Sequence, residues 1–420
     1  MKKYFVLLII TVFFLLLPKK VMAAQTADPN ALPVTKNLLD YFYSLPGKTS
    51  KKFISGQNIG GTWDWSRYDQ YITSVHDKTG IGKYIAIVAI DGDDLNGNDP
   101  TVLITHWQRG GLISIANRPF TSPSNPIPPP SDFSDLYTPG TDYYQHFIDV
   151  LDSEAVFLSK LQSAGVVVLW RPFGEMNGNW SWWCNQDKNE YIQLWKYTFR
   201  YLTKTKQLHN LLWVYSPIFA YSYKWLPVSY YYPEPDSDNP NGYVDIVGYD
   251  YYHYYPDFVK MKYDYDTLLK YGKPFGLTEF GPDDVPSTHG THWYDYSTLL
   301  TGLVANNLSQ VTFFLSWRDD WSIINQNGTS ALMNSNLILN AGDLPNFNLS
   351  PILTPTYTPT PTSSSCSLKL LGDFNCDLKI NESDLNALLG KWMTNLNDIT
   401  GDNIVNESDL NKLLGNWKAL

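Results

Sequence analysis

Residues 166–183, VVVLWRPFGEMNGNWSWW, decide the fold. The run at 166–170 is too apolar for a strand with one wet face, so it reads as a parallel strand buried on both sides. In an α/β barrel, the segment after such a strand lies at the ligand-binding end. There the chain places one carboxylate, Glu175, among aromatic side chains. Glu175 is therefore a catalytic candidate of a kind suited to sugar chemistry. The competing reading is a structural glutamate at the strand end, paired with Arg171.

Similar runs recur on both sides of this one, at 53–56, 84–90, 111–115, 211–215, 244–249, 274–278 and 311–316. The spacers between them are of helix length and carry helical patterns, as at 191–202 and 296–307. Eight such strands predict an α/β chain folded as a (β/α)8 TIM barrel over residues 24–347. An open doubly wound sheet fits less well, because its Gly-rich nucleotide-binding turn is missing.

Lys2 and Lys3 precede an apolar block at 5–17, Pro18 and the small pair Ala23 and Ala24. This order predicts a signal peptide over 1–23 and a secreted, extracellular product. The block is shorter than the roughly 20 apolar residues that span a bilayer, so no membrane association is expected after cleavage. An uncleaved amino-terminal anchor is the other reading. A net charge of -10 argues against a nucleic-acid partner, whereas 30 Tyr and 15 Trp suit a neutral, stacking polysaccharide. Three cysteines, Cys184, Cys366 and Cys376, allow at most one disulfide, and Cys366 with Cys376 is the pair close enough in sequence to form it.

Composition changes near the carboxy terminus. Residues 348–367 contain the Pro/Thr/Ser-rich stretch SPILTPTYTPTPTSSS, too poor in apolar side chains to pack, and read as a linker. Beyond it, residues 368–420 contain a duplication: GDFNCDLKINESDLNALLGKW from Gly372 is echoed by NDITGDNIVNESDLNKLLGNW from Asn397. Each copy opens with oxygen-bearing side chains at alternate positions and continues into an apolar helical pattern. In the first, Asp373, Asn375, Asp377, Asn381 and Asp384 join the Lys379 carbonyl at calcium-loop spacing. In the second the set is Asp398, Thr400, Asp402, Asn406 and Asp409, with the Ile404 carbonyl. Two structural Ca2+ ions are expected, and no cofactor for catalysis.

Cleaving a glycosidic bond takes one carboxyl group to protonate the leaving oxygen and a second to attack the anomeric carbon or activate water. Glu279, in KPFGLTEFG, is the partner for Glu175, because it ends the seventh strand-like run as Glu175 comes after the fourth. Aromatic surroundings would disfavour the Glu175 charge, while Arg171 and the Tyr252 hydroxyl would keep Glu279 ionised. Two weaker clusters carry less. The acidic loop 91–99 reads as a solvated or sugar-binding loop rather than a calcium site, and His289, His292 and Asp295 lack the spacing of a zinc site.

RPFGEMNGNWSWW, VDIVGYDYY, GLTEFG and FFLSW, in that order, resemble glycoside hydrolase family 26, mainly endo-β-1,4-mannanases, over most of residues 36–330. The resemblance implies a retaining barrel glycosidase with Glu175 as acid/base and Glu279 as nucleophile. It implies substrate-binding roles for Arg171, Trp180, Tyr252 and Trp317, with Trp180 bordering the cleaved sugar and Trp317 beneath it. Where the family usually has His before the acid/base, this chain has Gly174. The family's Trp-His after strand three is replaced by ISIANRPFTSP, with Asn117 and Arg118 as polar substitutes. Mixed-linkage β-glucan or β-1,3-xylan are alternative substrates, and a non-catalytic carbohydrate-binding barrel is the reading from another class. The carboxy-terminal repeat resembles a type I dockerin, which implies a small all-α module and a cohesin-bearing scaffold as partner.

Overall fold

The computed structural model describes residues 25–61, 64–79, 82–92, 95, 98–119, 130, 132–221, 225–253, 256–281, 294–347, 388, 400 and 406–416. The chain divides into two compact units, Met1–Pro351 and Ile352–Leu420.

In the first unit the strands are β1 (Phe53–Ile54), β2 (Gly56–Asn58), β3 (Ile87–Asp91), β4 (Leu112–Asn117), β5 (Val168–Pro172), β6 (Leu211–Tyr215), β7 (Ile246–Tyr252), β8 (Phe275–Gly281), β9 (Val311–Ser316) and β10 (Ile338–Leu339). All pairings are parallel, and they run in sequence from β2 to β8. β9 then pairs with β8 on one side and with β1 and β2 on the other, closing the sheet. β1 and β2 are halves of one stave interrupted at Ser55, so the barrel has eight staves, with β10 added beside β1. Closure demands close approach: a Cβ on Gly56 would lie 2.5 Å from the Phe314 carbonyl oxygen. Glycine is the residue that fits there.

All eight predicted runs fall on staves, and both predicted helical spacers are helices. The helices are α1 (Pro33–Ser44), α2 (Trp65–Tyr68), α3 (Ser74–Thr79), α4 (Thr101–Gln108), α5 (Asp142–Ser163), α6 (Lys188–Arg200), α7 (Phe258–Leu269), α8 (Ser297–Ala305) and α9 (Thr329–Asn334). α5 shows how they attach: Phe147, Leu151, Glu154, Leu158 and Leu161 form one buried stripe at helical spacing. Glu154 is the charged-type side chain in that stripe. The acidic loop 91–99 is structural at both described ends. Asp91 is buried in β3, and Asp99 Oδ1 accepts the Thr101 amide at 3.0 Å at the start of α4.

In the second unit the described helix is α10 (Glu407–Asn416), with Asp409 and Leu413 buried. Among the described residues no helix is long and apolar enough to cross a membrane.

Candidate active site

The turn after β5 builds the first half of the site. Phe173 and Glu175 both adopt left-handed backbone, with φ of 51° and 58°, a conformation costing a side-chain-bearing residue roughly 1–2 kcal/mol. The surroundings hold it in place. The Glu175 amide donates to the Ser216 carbonyl at 2.8 Å, and the Glu175 carbonyl accepts from the Gly178 amide at 2.9 Å and the Cys184 thiol at 3.2 Å. Trp183 Nε1 donates to the Gly174 carbonyl at 2.7 Å, and the Tyr191 hydroxyl to the Phe173 carbonyl at 3.1 Å. Asn177 clamps this turn to the loop after β6: Oδ1 accepts the Ile218 amide at 2.8 Å, and Nδ2 donates to the Ile218 and Leu226 carbonyls at 2.8 and 3.0 Å.

β7 and β8 build the second half. Strand alternation turns Tyr249 and Tyr251 into the surrounding core and brings Asp250 and Tyr252 to the interior. The pairing of β8 with β9 is irregular between Leu277 and Phe280, around Thr278 and Glu279. The Tyr252 hydroxyl donates to Glu279 Oε2 at 2.8 Å. Arg171 Nη2 donates to Glu279 Oε1 at 3.0 Å and to the Asp250 oxygens at 3.2 and 3.1 Å. Thr278 Oγ1 adds a 2.6 Å bond to Asp250 Oδ1. Arg171 therefore pairs with Asp250 and Glu279, and the alternative of an Arg171 partner for Glu175 is not what the fold builds.

One carboxylate oxygen from each of Glu175, Asp250 and Glu279 lies within 4.8 Å of the other two. Burial, reinforced by the Glu279 charge, pushes the Glu175 carboxyl up to about 7, against the opposing pull of Arg118, Trp180 and Arg171. Burial and the Glu279 charge also raise Asp250 well above the ordinary carboxylate range. For Arg171 burial works against the charge, but Asp250 and Glu279 outweigh it and raise its pKa. The site therefore holds a carboxyl that is protonated near neutrality beside one held by a guanidinium and a phenol. Two guanidiniums on these carboxylates oppose a metal ion there.

The aromatic residues divide by role. Trp180 is half exposed, and its Nε1 donates to Glu175 Oε2 at 2.7 Å. Trp225, which sequence reasoning missed, meets the Trp180 ring edge-on, centroids 5.4 Å apart. Trp182 and Trp183 are structural: Trp182 Nε1 holds the Pro119 carbonyl at 2.7 Å, and Trp183 is buried. Trp317 comes directly after β9, its amide donating to the Phe280 carbonyl at 3.0 Å, and the Arg118 guanidinium lies 5.5 Å from its ring centroid. Of the two polar substitutes after β4, Asn117 turns away, donating to Glu154 Oε1 at 2.6 Å. Arg118 turns inward, 3.8 Å from Glu279 Oε1. At Gly174 a Cβ would sit 3.1 Å from Ser216 Oγ, so Ser216 occupies the ground beside the residue before Glu175.

Asp250 was also missed, although a carboxylate two places before Tyr252 in an otherwise buried strand was a legible signal. A larger cavity, lined by Trp107, Arg109, Leu344 and Phe347 among others, lies at the amino-terminal end of the barrel, away from these groups.

A model of glycosyl hydrolase family 26 matches residues 27–343. The chain belongs to glycosyl hydrolase family 26. A mannan endo-1,4-beta-mannosidase A and B of Caldalkalibacillus mannanilyticus is 32% identical, over 82% of this chain and 68% of that protein. A mannan endo-1,4-beta-mannosidase of Bacillus subtilis strain 168 is 31% identical, over 80% of this chain and 94% of its own. A solved Bacillus subtilis mannanase superimposes with a TM-score of 0.66 at 27% identity, covering 77% of this chain and 97% of that one. This family 26 chain is thus a glycoside hydrolase on a closed (β/α)8 barrel, and its family needs no catalytic cofactor.

In the second unit, Asp373, Asn375, Asp377, Lys379, Asn381, Asp384, Asp398, Asp402 and Ile404 lie outside the described residues, as do Cys366 and Cys376, and in the first unit so do His289 and His292. Thr400, Asn406 and Asp409 are described and come together. Asp409 Oδ1 accepts the Thr400 amide and hydroxyl at 3.0 and 3.1 Å, and Oδ2 accepts the Asn406 amide at 2.9 Å.

Proposed function

We propose that this chain is a retaining endo-β-1,4-mannanase that cleaves mannan by double displacement. The spacing of Glu175 and Glu279 carries this reading: their nearest carboxylate oxygens are within 4.8 Å. Retaining glycosidases hold the pair about 5–5.5 Å apart, whereas inverting ones leave about 6.5–9.5 Å for a water. The relatives named as mannan endo-1,4-beta-mannosidases supply the substrate.

Glu279, its oxygens steered by Arg171 and Tyr252, attacks the anomeric carbon. Glu175, protonated near neutrality, gives its proton to the departing oxygen, and the Trp180 indole fixes which carboxyl oxygen faces away from the sugar. Glu175 then takes a proton from water, which attacks the same carbon and frees Glu279. Product analysis on mannan, mixed-linkage β-glucan and β-1,3-xylan tests the substrate. Glu175→Gln and Glu279→Ala are each expected to abolish mannan hydrolysis in a folded protein, and full activity in either defeats the mechanism. Gly174 favours the second reading, a related β-glycan, since it provides no imidazole beside the scissile sugar; preferential release of glucose or xylose oligomers would select it.

The enzyme is proposed to be exported through residues 1–23 and tethered through a dockerin-like module that binds two Ca2+ ions and a cohesin. The Asp409 contacts to Thr400 and Asn406 support an ion loop, since they gather two other predicted ligand residues of the second copy around the buried Asp409 carboxylate. Calcium addition after chelation is expected to restore helical circular dichroism and cohesin capture while mannan hydrolysis stays unchanged. Helicity indifferent to chelator would remove the calcium reading.

A further inference from the structure

Trp317 is flanked by two guanidiniums. Arg318 lies 5.3 Å from the ring centroid, and its charge is matched by Asp91, whose Oδ2 is 3.0 Å from Nη1. Asp91 is fixed in turn by Asn58 Nδ2 at 2.9 Å. Arg118 lies 5.5 Å from the same centroid, and among the described residues Glu279 Oε1 lies 3.8 Å from its Nη2.

The root of Arg118 is tethered on both sides. Asn117 before it is tied to Glu154 at 2.6 Å, and the Pro119 carbonyl after it accepts Trp182 Nε1 at 2.7 Å. Its tip spans the gap between the Trp317 ring and Glu279, with about a third of the side chain open to solvent. A pyranose whose anomeric carbon meets Glu279 would enter that same gap, beside the Arg118 guanidinium. A guanidinium offers five N–H donors in a planar fork suited to neighbouring oxygens.

We propose that Arg118 is a substrate-contacting specificity residue, whose guanidinium donates hydrogen bonds to the hydroxyls of the sugar held between Trp317 and Glu279. This rests on the reading of Glu175 and Glu279 as the hydrolytic pair. It gives the loop after β4 a direct part in choosing the sugar. Charge adds a second effect: Arg118 lowers the Glu175 pKa against burial, so neutralising it moves the Glu175 titration upward.

The test is Arg118→Gln and Arg118→Lys in the full chain, with kcat and KM on mannan oligosaccharides measured across pH. Arg118→Gln is expected to raise KM about tenfold or more, the usual scale for a lost charged hydrogen bond, and to move the alkaline limb of kcat/KM upward. Arg118→Lys keeps the charge and so the limb, but loses the fork and with it the KM. It also serves if the glutamine variant does not fold. Parental KM and an unmoved limb in Arg118→Gln overturn the proposal, as does a lowered melting temperature accompanied by parental kinetics. An unmodified chain that releases no sugar from any glycan overturns the hydrolytic reading itself, and this proposal with it.

Discussion

Tyr252 and Glu279 are joined by a 2.8 Å hydrogen bond from the phenol to Oε2, while Arg171 holds the other oxygen. The carboxylate is thereby aimed by both its oxygens. Tyr252→Phe leaves the ring and removes the donor. Loss of a hydrogen bond to a charged group costs about 1.5–3 kcal/mol, so kcat is expected to fall roughly ten- to a hundredfold with little change in melting temperature. Steady-state kinetics beside a thermal melt checks this.

The alkaline limb of activity belongs to Glu175. A general acid works only while protonated, and burial plus Glu279 place this carboxyl at about 7. Activity is therefore expected to fall as pH rises through about 7. Replacing a poor leaving group by one that needs no proton, such as a nitrophenol, should flatten that limb for the first step. A pH profile with both substrate types reads the outcome.

Asn177 is buried, and its three bonds to Ile218 and Leu226 hold the strained turn that carries Glu175. Asn177→Ala frees the turn to relax from its left-handed backbone. The expected result is a kcat reduced about tenfold or more, since small misplacement of a catalytic group is expensive in rate, with KM less affected.

Glu154 is buried in the apolar stripe of α5, and its Oε2 has no hydrogen-bond partner among the described residues. Burial pushes it up to about 8, against the bond from Asn117. An acid whose pKa is raised by folding contributes most below its unfolded value, and that contribution is lost as pH rises from 4.5 through about 8. Glu154→Gln removes the titration, so its melting temperature relative to the parent should rise between pH 5 and 9. A difference independent of pH would show that Glu154 is not the group responsible.

The staves were legible because a strand buried on both faces leaves an apolar run that few other structures produce, as at 166–170 and 311–316. The paired glutamates were legible because each comes after or ends such a run. Side-chain direction could not be read. Nothing in ISIANRP tells which alternate set of side chains faces the barrel interior, and so that Asn117 turns to Glu154 while Arg118 turns to Glu279. Asp250 and Glu154 escaped notice for a related reason: each sits where a pattern called for an apolar side chain, and its partner lies far away in sequence. Four aromatic residues at 249–253 left the register of Tyr252 open until β7 placed it.

The most direct measurement of the central claim is the anomeric form of the first product, monitored by proton NMR during early mannan or mannan-oligosaccharide hydrolysis. Double displacement by Glu279 and Glu175 predicts that the β-anomer appears first and mutarotates afterwards. Initial release of the α-anomer would contradict it.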